Sequence, residues 1–309
     1  MISFTINVKN EVSSYDGVKN ENMAMLSAII RNSGKIDKEI TITTENSKVA
    51  RRIYTLISNM YNVSVNIIDK NNNFNRNRLY IIIVSDKVDF ILKDLGILND
   101  SDKYLETVPD YLIDAEEEKR AYLKGIFLSC GSINDPKTSR YHLEFFIDNL
   151  NEANFVNNVL NEYYLNSKVI PKDKKYMVYI KEAEKIGDFL RIIGANDAVM
   201  YYEDIRIYRD HKNMTNRLNN MEQANIEKII NTCNSQIKDI ELIYEKLGKE
   251  FLDEKTLEAA TYRMKYPESS LQELSEIMTL EIGKPITKSG LNHRMRKIKE
   301  LANKLKESE

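Results

Sequence analysis

Two segments of the chain repeat one pattern, AMLSAIIRNSGKI from Ala24 to Ile36 and AYLKGIFLSCGSI from Ala121 to Ile133. At a constant offset Ala24 pairs with Ala121, Ala28 with Gly125, Ile29 with Ile126, Gly34 with Gly131 and Ile36 with Ile133. Self-similarity of this kind marks a duplicated unit, which restricts the fold to two copies of one motif in a pseudo-symmetric domain. Within each copy small residues recur at helical i, i+4 spacing: Ala24 and Ala28 in one, Ala121, Gly125 and Ser129 in the other. A stripe of small side chains lets two helix backbones approach closely. The expectation is a central helix pair joined along these stripes, with Gly34 and Gly131 as the C′ residues that end each helix.

The repeat continues beyond these helices. EITITT and the amphipathic SKVARRIYTLISNMY follow the first, and YHLEFFID and EANFVNNVLNEYY follow the second. RLYIIIV (Arg78 to Val84) and KYMVYI (Lys175 to Ile180) are β-branched and aromatic runs that predict strands. Each leads into a short helical pattern closed by glycine, VDFILKDLG at Gly96 and IGDFLRIIG at Gly194, with one residue inserted relative to the first offset. The unit is αββαββα taken twice, with the polar stretch Asn99 to Glu118 between copies, and the class is α+β. A duplicated domain over residues 1–212 is expected, its halves spanning about 20–98 and 119–196.

From Met214 the pattern changes to long helix. Ile226, Ile230, Cys233, Ile237, Ile240, Tyr244 and Leu247 alternate steps of four and three, a heptad-like seam that stops at Gly248. This predicts a linker helix over 213–250 that docks on its own protein, a seam of barely three heptads being short for a coiled-coil dimer. The preceding stretch, YRDHKNMTNRLNN, reads as a hinge. There His211 stands among Arg206, Arg209, Lys212 and Arg217, open both to DNA contact and to an interdomain hydrogen bond. Residues 251–309 form a separate small domain. Leu257, Ala260 and Met264 mark a first helix broken at Tyr266-Pro267; Ser269 with Gln272, or Ser270 with Glu273, caps a second carrying Leu271, Leu274 and Ile277. Thr287 or Ser289 caps a third whose apolar face is Leu291, Met295, Ile298, Leu301 and Leu305. Three such helices make a helix-turn-helix core.

The third helix carries the strongest functional signal. From Lys284 to Lys299 the charged residues are Lys284, Lys288, Arg294, Arg296, Lys297 and Lys299, with no acidic residue among them. Such a run makes a phosphate-binding surface. With Leu291 at the centre of the buried face, Ser289, His293, Arg296 and Lys297 turn toward the far side and Asn292 lies on the flank. These positions fall where a helix-turn-helix presents side chains to the major groove, Arg suiting guanine and Asn adenine. His293 suits a hydrogen bond or a phosphate better than a metal, and His142, beside LEFF, is expected to be structural.

Net charge is -2, from 45 Lys+Arg and 47 Asp+Glu, which excludes a wholesale basic coat. The charge is segregated: residues 254–309 hold 11 Lys+Arg against 9 Asp+Glu. Two cysteines far apart, Cys130 and Cys233, and three scattered histidines argue against zinc and against a disulfide framework, and no metal or cofactor is expected. No apolar run reaches the roughly 18 residues that a membrane span needs, and MISFTINVKNEVSS is too polar for a signal peptide, so a cytoplasmic protein is expected.

LSAIIRNSG (Leu26 to Gly34) and LKGIFLSCG (Leu123 to Gly131) resemble the paired core helices of LAGLIDADG homing endonucleases, a fold of two αββαββα halves that straddles DNA. With NRLNNMEQAN (Asn216 to Asn225) and TKSGLNHRMRKIKELA (Thr287 to Ala302), the whole chain resembles the WhiA family of bacterial transcription regulators. The resemblance implies a LAGLIDADG-like domain joined to a C-terminal helix-turn-helix, acting in sporulation or in cell division and chromosome organisation on the nucleoid. The enzymes place an acidic residue before each motif glycine, because metal-assisted phosphodiester attack needs carboxylates to hold Mg²⁺. Here those positions are Ser33 and Cys130, so no catalytic residue is expected. Cys130 is read as a buried packing residue, the alternative being a redox-sensing thiol. The implied partner is double-stranded promoter DNA, bound through the third helix, with the duplicated domain open to a protein partner or a regulatory ligand. A monomer is expected in solution, and a dimer on DNA stays open. The rival readings are an active homing endonuclease and an architectural protein that uses DNA only for placement.

Overall fold

The computed structural model describes residues 3–71, 78–138 and 140–307. The chain divides into two compact units, Met1–Arg209 and Asp210–Glu309.

The first unit opens with a helix, α1 (Phe4–Val12), capped by Ser3 and anchored by Phe4, Val8 and Val12 at i, i+4 spacing. The duplication then unfolds in order. The first copy is α2 (Lys19–Ser33), β1 (Gly34–Ile36), β2 (Ile40–Thr44), α3 (Ser47–Tyr61), β3 (Val65–Asn71), β4 (Arg78–Val84) and α4 (Val88–Asp94). The second is α5 (Glu116–Cys130), β5 (Gly131–Ile133), β6 (Leu143–Ile147), α6 (Leu150–Glu162), β7 (Lys168–Lys172), β8 (Lys175–Ile180) and α7 (Ala183–Ile192). Each copy builds one antiparallel sheet, in the order β1-β2-β4-β3 and β5-β6-β8-β7. Strand alternation selects the buried face: Ile40, Ile42, Ile82 and Val84 in one sheet, Leu143, Phe145, Ile147, Val178 and Ile180 in the other. The copies even share a cap. Asn46 accepts from the amides of Lys48 and Val49 at the start of α3, and Asn149 from those of Asn151 and Glu152 at the start of α6.

The core helices pair as their small residues predict. A Cβ at Gly125 would stand 2.3 Å from the Met25 carbonyl oxygen and 2.7 Å from Ala28 Cβ, so α2 and α5 meet backbone against backbone at this point of the stripe. The helix ends differ from expectation. Gly34 and Gly131 follow α2 and α5 directly but are extended, with φ of -82° and -80°, because the chain passes straight into β1 and β5. Glycine is required there for close approach: a Cβ would lie 2.6 Å from the Ile30 oxygen at Gly34 and 2.5 Å from the Phe127 ring at Gly131. The left-handed caps belong instead to Gly96 and Gly194, after α4 and α7.

The long helix α8 runs from Asn196 to Lys246, beginning well before Met214. Residues 208–220 are helical throughout, the division between the two units falls among them, and His211 is exposed on that helix. No glycine or proline interrupts the segment, and its start is fixed by a distant group: Glu11 on α1 accepts from the amides of Asp197 (2.8 Å) and Ala198 (3.1 Å). That carboxylate satisfies the unpaired donors of the helix N-terminus and complements its dipole.

The second unit packs the end of α8 with α9 (Glu254–Lys265), α10 (Leu271–Ile282) and α11 (Lys288–Glu307). Ile240 and Ile243 of α8 join Ala259, Ala260, Leu274, Met278, Leu291, Met295, Ile298 and Ala302 in one core. The seam is therefore docked only in its later part, since Ile226 and Ile230 stand exposed. On α9 the buried face is Thr256, Ala259, Ala260 and Arg263, and Met264 turns outward. The Arg263 guanidinium, fully buried, donates to the carbonyls of Ser269 (2.5 Å) and Tyr266 (3.3 Å) and reaches Cys233 Sγ on α8 (3.3 Å), tying the α9–α10 turn to α8. Burial lowers its pKa below the ordinary value. Ile240→Asp puts an unpaired carboxylate at the centre of this core and is expected to cost about 3 kcal/mol or more, read as a lowered urea midpoint for the Asp210–Glu309 unit.

Candidate nucleic-acid interface

The placement of α11 begins at α10. Ser270 and Glu273 form a reciprocal capping box, Glu273 N to Ser270 Oγ at 3.2 Å and Ser270 N to Glu273 Oε2 at 2.7 Å, and these hydrogen bonds hold the Glu273 carboxyl below the usual carboxylate range. Gly283, with φ +72°, closes α10 in the left-handed region, which opens the turn. Thr279 then pins the turn by accepting from Ile286 N at 3.0 Å. Thr287 starts α11, its Oγ1 accepting from Gly290 N at 3.1 Å. Leu291, Met295, Ile298 and Ala302 bury one stripe of the helix, and that stripe fixes the direction of every other side chain on it.

The nine polar residues singled out above separate into three groups. Lys284, in the turn, and Lys288, Ser289 and His293, in the opening of α11, are exposed. Asn292, Arg296 and Lys299 lie along one flank, where with Asn231, Thr232 and Ser235 of α8 they border a groove of about 430 Å³. Arg294 and Lys297 lie along the other flank, against α9. Arg294 is half-buried and donates to Glu258 (3.2 Å) and to the Lys255 carbonyl (3.3 Å), so its charge holds α11 on α9. Lys297 comes within 3.8 Å of Asp253, which caps α9 and whose carboxyl the Thr256 hydrogen bonds keep below its usual range. Sequence reasoning missed the Arg294 pairing and the contribution of α8. The second was accessible, since Asn231, Thr232 and Ser235 share one side of a helix at i, i+1 and i+4.

In the first unit, the two positions before the motif glycines turn back on their own helices. Ser33 Oγ donates to the Ile29 carbonyl at 2.7 Å and Cys130 Sγ to the Ile126 carbonyl at 3.4 Å. Cys130 is half-buried, and desolvation pushes its thiol up to about 11, far from the thiolate that redox sensing requires. His142, just before β6, contacts Glu144 two residues along the chain at 3.1 Å, in keeping with a structural role. Among the described residues, no three or more His, Cys, Asp or Glu side chains gather as a metal site, and no helix is long and apolar enough to cross a membrane.

Three family models match the chain in sequence. They are the WhiA N-terminal LAGLIDADG-like domain at residues 19–98, the WhiA LAGLIDADG-like domain at 119–212 and the WhiA C-terminal HTH domain at 215–302. The "Probable cell division protein WhiA" of Brevibacillus brevis is 38% identical over 314 residues, covering 100% of this chain and 99% of that protein. The protein of the same name from Staphylococcus aureus is 40% identical over equal coverage. The chain belongs to the WhiA family. Its fold is also that of full-length WhiA from Thermatoga maritima, at 23% identity and a TM-score of 0.59 over 98% of this chain and 99% of that one. The crystal structure of an N-terminal LAGLIDADG domain of WhiA matches 62% of this chain and 90% of its own, at 22% identity and a TM-score of 0.51. The family therefore joins two LAGLIDADG-like halves to a helix-turn-helix, and the HTH match reaches back across the α8 residues that border the groove beside α11.

Proposed function

We propose that the protein is a sequence-specific DNA-binding transcription regulator, in which α11 reads base edges and the duplicated domain is a nuclease-derived scaffold without nuclease activity. The exposed basic opening of α11 carries this reading. Lys284, Lys288 and Lys299 are suited to phosphate, where they position the protein without reading sequence. Arg296 and Asn292, on the flank that faces the groove, are suited to bidentate contacts with guanine and adenine. Arg294 acts through α9, as a positioning residue. The relatives' names support a role in cell division, with sporulation and chromosome organisation as the wider range for such a regulator, acting on the nucleoid in the cytoplasm as a monomer in solution.

The loss of cleavage rests on Ser33 and Cys130. A hydroxyl and a neutral thiol, both spent on helix carbonyls, replace the charged oxygens that a hard divalent cation needs. Selection from random duplexes with the purified full-length chain should enrich one motif. The same protein incubated with that duplex and Mg²⁺ should leave it uncut, and reproducible double-strand breaks would overturn the reading in favour of an active endonuclease.

A further inference from the structure

The groove of about 430 Å³ beside α11 has α8 as its second wall, where Asn231 and Ser235 stand exposed one helical turn apart. Among the described residues, the Asn231 amide and the Ser235 hydroxyl make no side-chain hydrogen bond, and neither do Arg296 and Lys299 opposite them. Thr232 between them turns its hydroxyl back to the Lys228 carbonyl at 2.7 Å. Asp239, the acid among the lining residues, is spent on Lys306 at 2.7 Å. What remains free is a set of hydrogen-bond donors with two positive charges, which suits a ligand whose oxygens only accept. The same character continues along α8. At about 100° per residue, Lys228 and Arg217, both exposed, fall on the side of Asn231 and Ser235, while Glu222 and Glu227 lie about a quarter-turn or more away.

We propose that α8 is a second DNA-contacting element, which grips the backbone of the strand that borders the bases read by α11. Asn231 and Ser235 donate to a phosphate seated in the groove, and Lys228 and Arg217 follow the same strand toward the start of the helix. Contacts of this kind carry no sequence information; they set the register and angle at which α11 enters the major groove. The inference rests on the reading of α11 as the recognition helix and extends the interface beyond it.

The test is fluorescence anisotropy with the full-length chain across a salt series, on a duplex carrying the selected motif and on a scrambled duplex of equal length. Asn231→Glu sets a like charge against the phosphate and should weaken both duplexes alike, by about tenfold or more. Asn219→Glu, on the opposite side of α8, should bind as the wild type does. Lys228→Ala should lower the salt slope by about one unit on both duplexes without changing the ratio between them. All three positions are exposed on α8, so the variants stay folded. Wild-type affinity in Asn231→Glu or an unchanged slope in Lys228→Ala, with Arg296→Ala impaired, would overturn the α8 contact and leave α11 as the reader. A groove that holds a protein segment instead gives that result. Equal loss in Asn219→Glu and Asn231→Glu would reduce the effect to bulk charge and overturn the proposal as well. Wild-type behaviour in Asn231→Glu, Lys228→Ala and Arg296→Ala together would overturn it along with the reading it rests on.

Discussion

Replacing Gly125 by leucine is expected to unfold the Met1–Arg209 unit. A Cβ alone would collide with the Met25 carbonyl oxygen at 2.3 Å and with Ala28 Cβ at 2.7 Å, and the first is backbone inside a buried helix, which cannot swing aside. The helices must separate, and with them the packing along which the two halves meet. Overpacking typically costs about 1 to 3 kcal/mol, and a side chain forced between two core backbones belongs at or beyond the upper end. Hydrogen exchange read peptide by peptide is the measurement. Amides of α2 and α5 should lose protection while those of α9, α10 and α11 keep it, and unchanged protection in α5 would refute the close pairing.

The second large effect concerns DNA. Arg296→Ala should lose about 1 to 3 kcal/mol on the best site, roughly five- to 150-fold, and relax its sequence preference, while non-specific binding weakens much less. Lys299→Ala, by contrast, should weaken all sequences alike and lower the salt slope by about one unit. Both side chains are exposed and outside the buried stripe of α11, so both variants should stay folded. Fluorescence anisotropy across a salt series separates the two behaviours. If deleting residues 251–309 leaves specific affinity intact, recognition resides in the duplicated domain and the assignment to α11 is wrong.

These two predictions draw on features legible in the sequence to different degrees. The pairing of α2 with α5 came from self-similarity together with the small-residue stripes, because a duplicated unit repeats its packing constraints along with its pattern. The β-branched runs at Arg78 to Val84 and Lys175 to Ile180 revealed their strands for a similar reason, since alternation is local. The conformation of Gly34 and Gly131 was not legible, for a glycine kept for close approach looks the same in sequence as one kept for positive φ. The start of α8 was hidden as well. Residues 196–213 carry mixed charges and polar groups that suggest an irregular segment, and Glu11, which completes the helix end, lies far outside any local window. On α11, helical phase located the exposed basic residues, but only the packing of α9 against α11 drew Arg294 onto Glu258.

The Glu11 contact also bears on how the chain assembles. It joins groups 186 and 187 positions apart, and closing a loop of that size carries an entropy cost that a pair of hydrogen bonds alone does not repay. Both αββαββα halves lie inside that loop and must condense before its ends are held near one another. On the ribosome α1 emerges before both halves yet waits for nearly two hundred residues before its carboxylate meets the two amides. The N-terminal turn of α8 is thus a late-forming element, and its amides serve as natural reporters that the duplicated domain has closed.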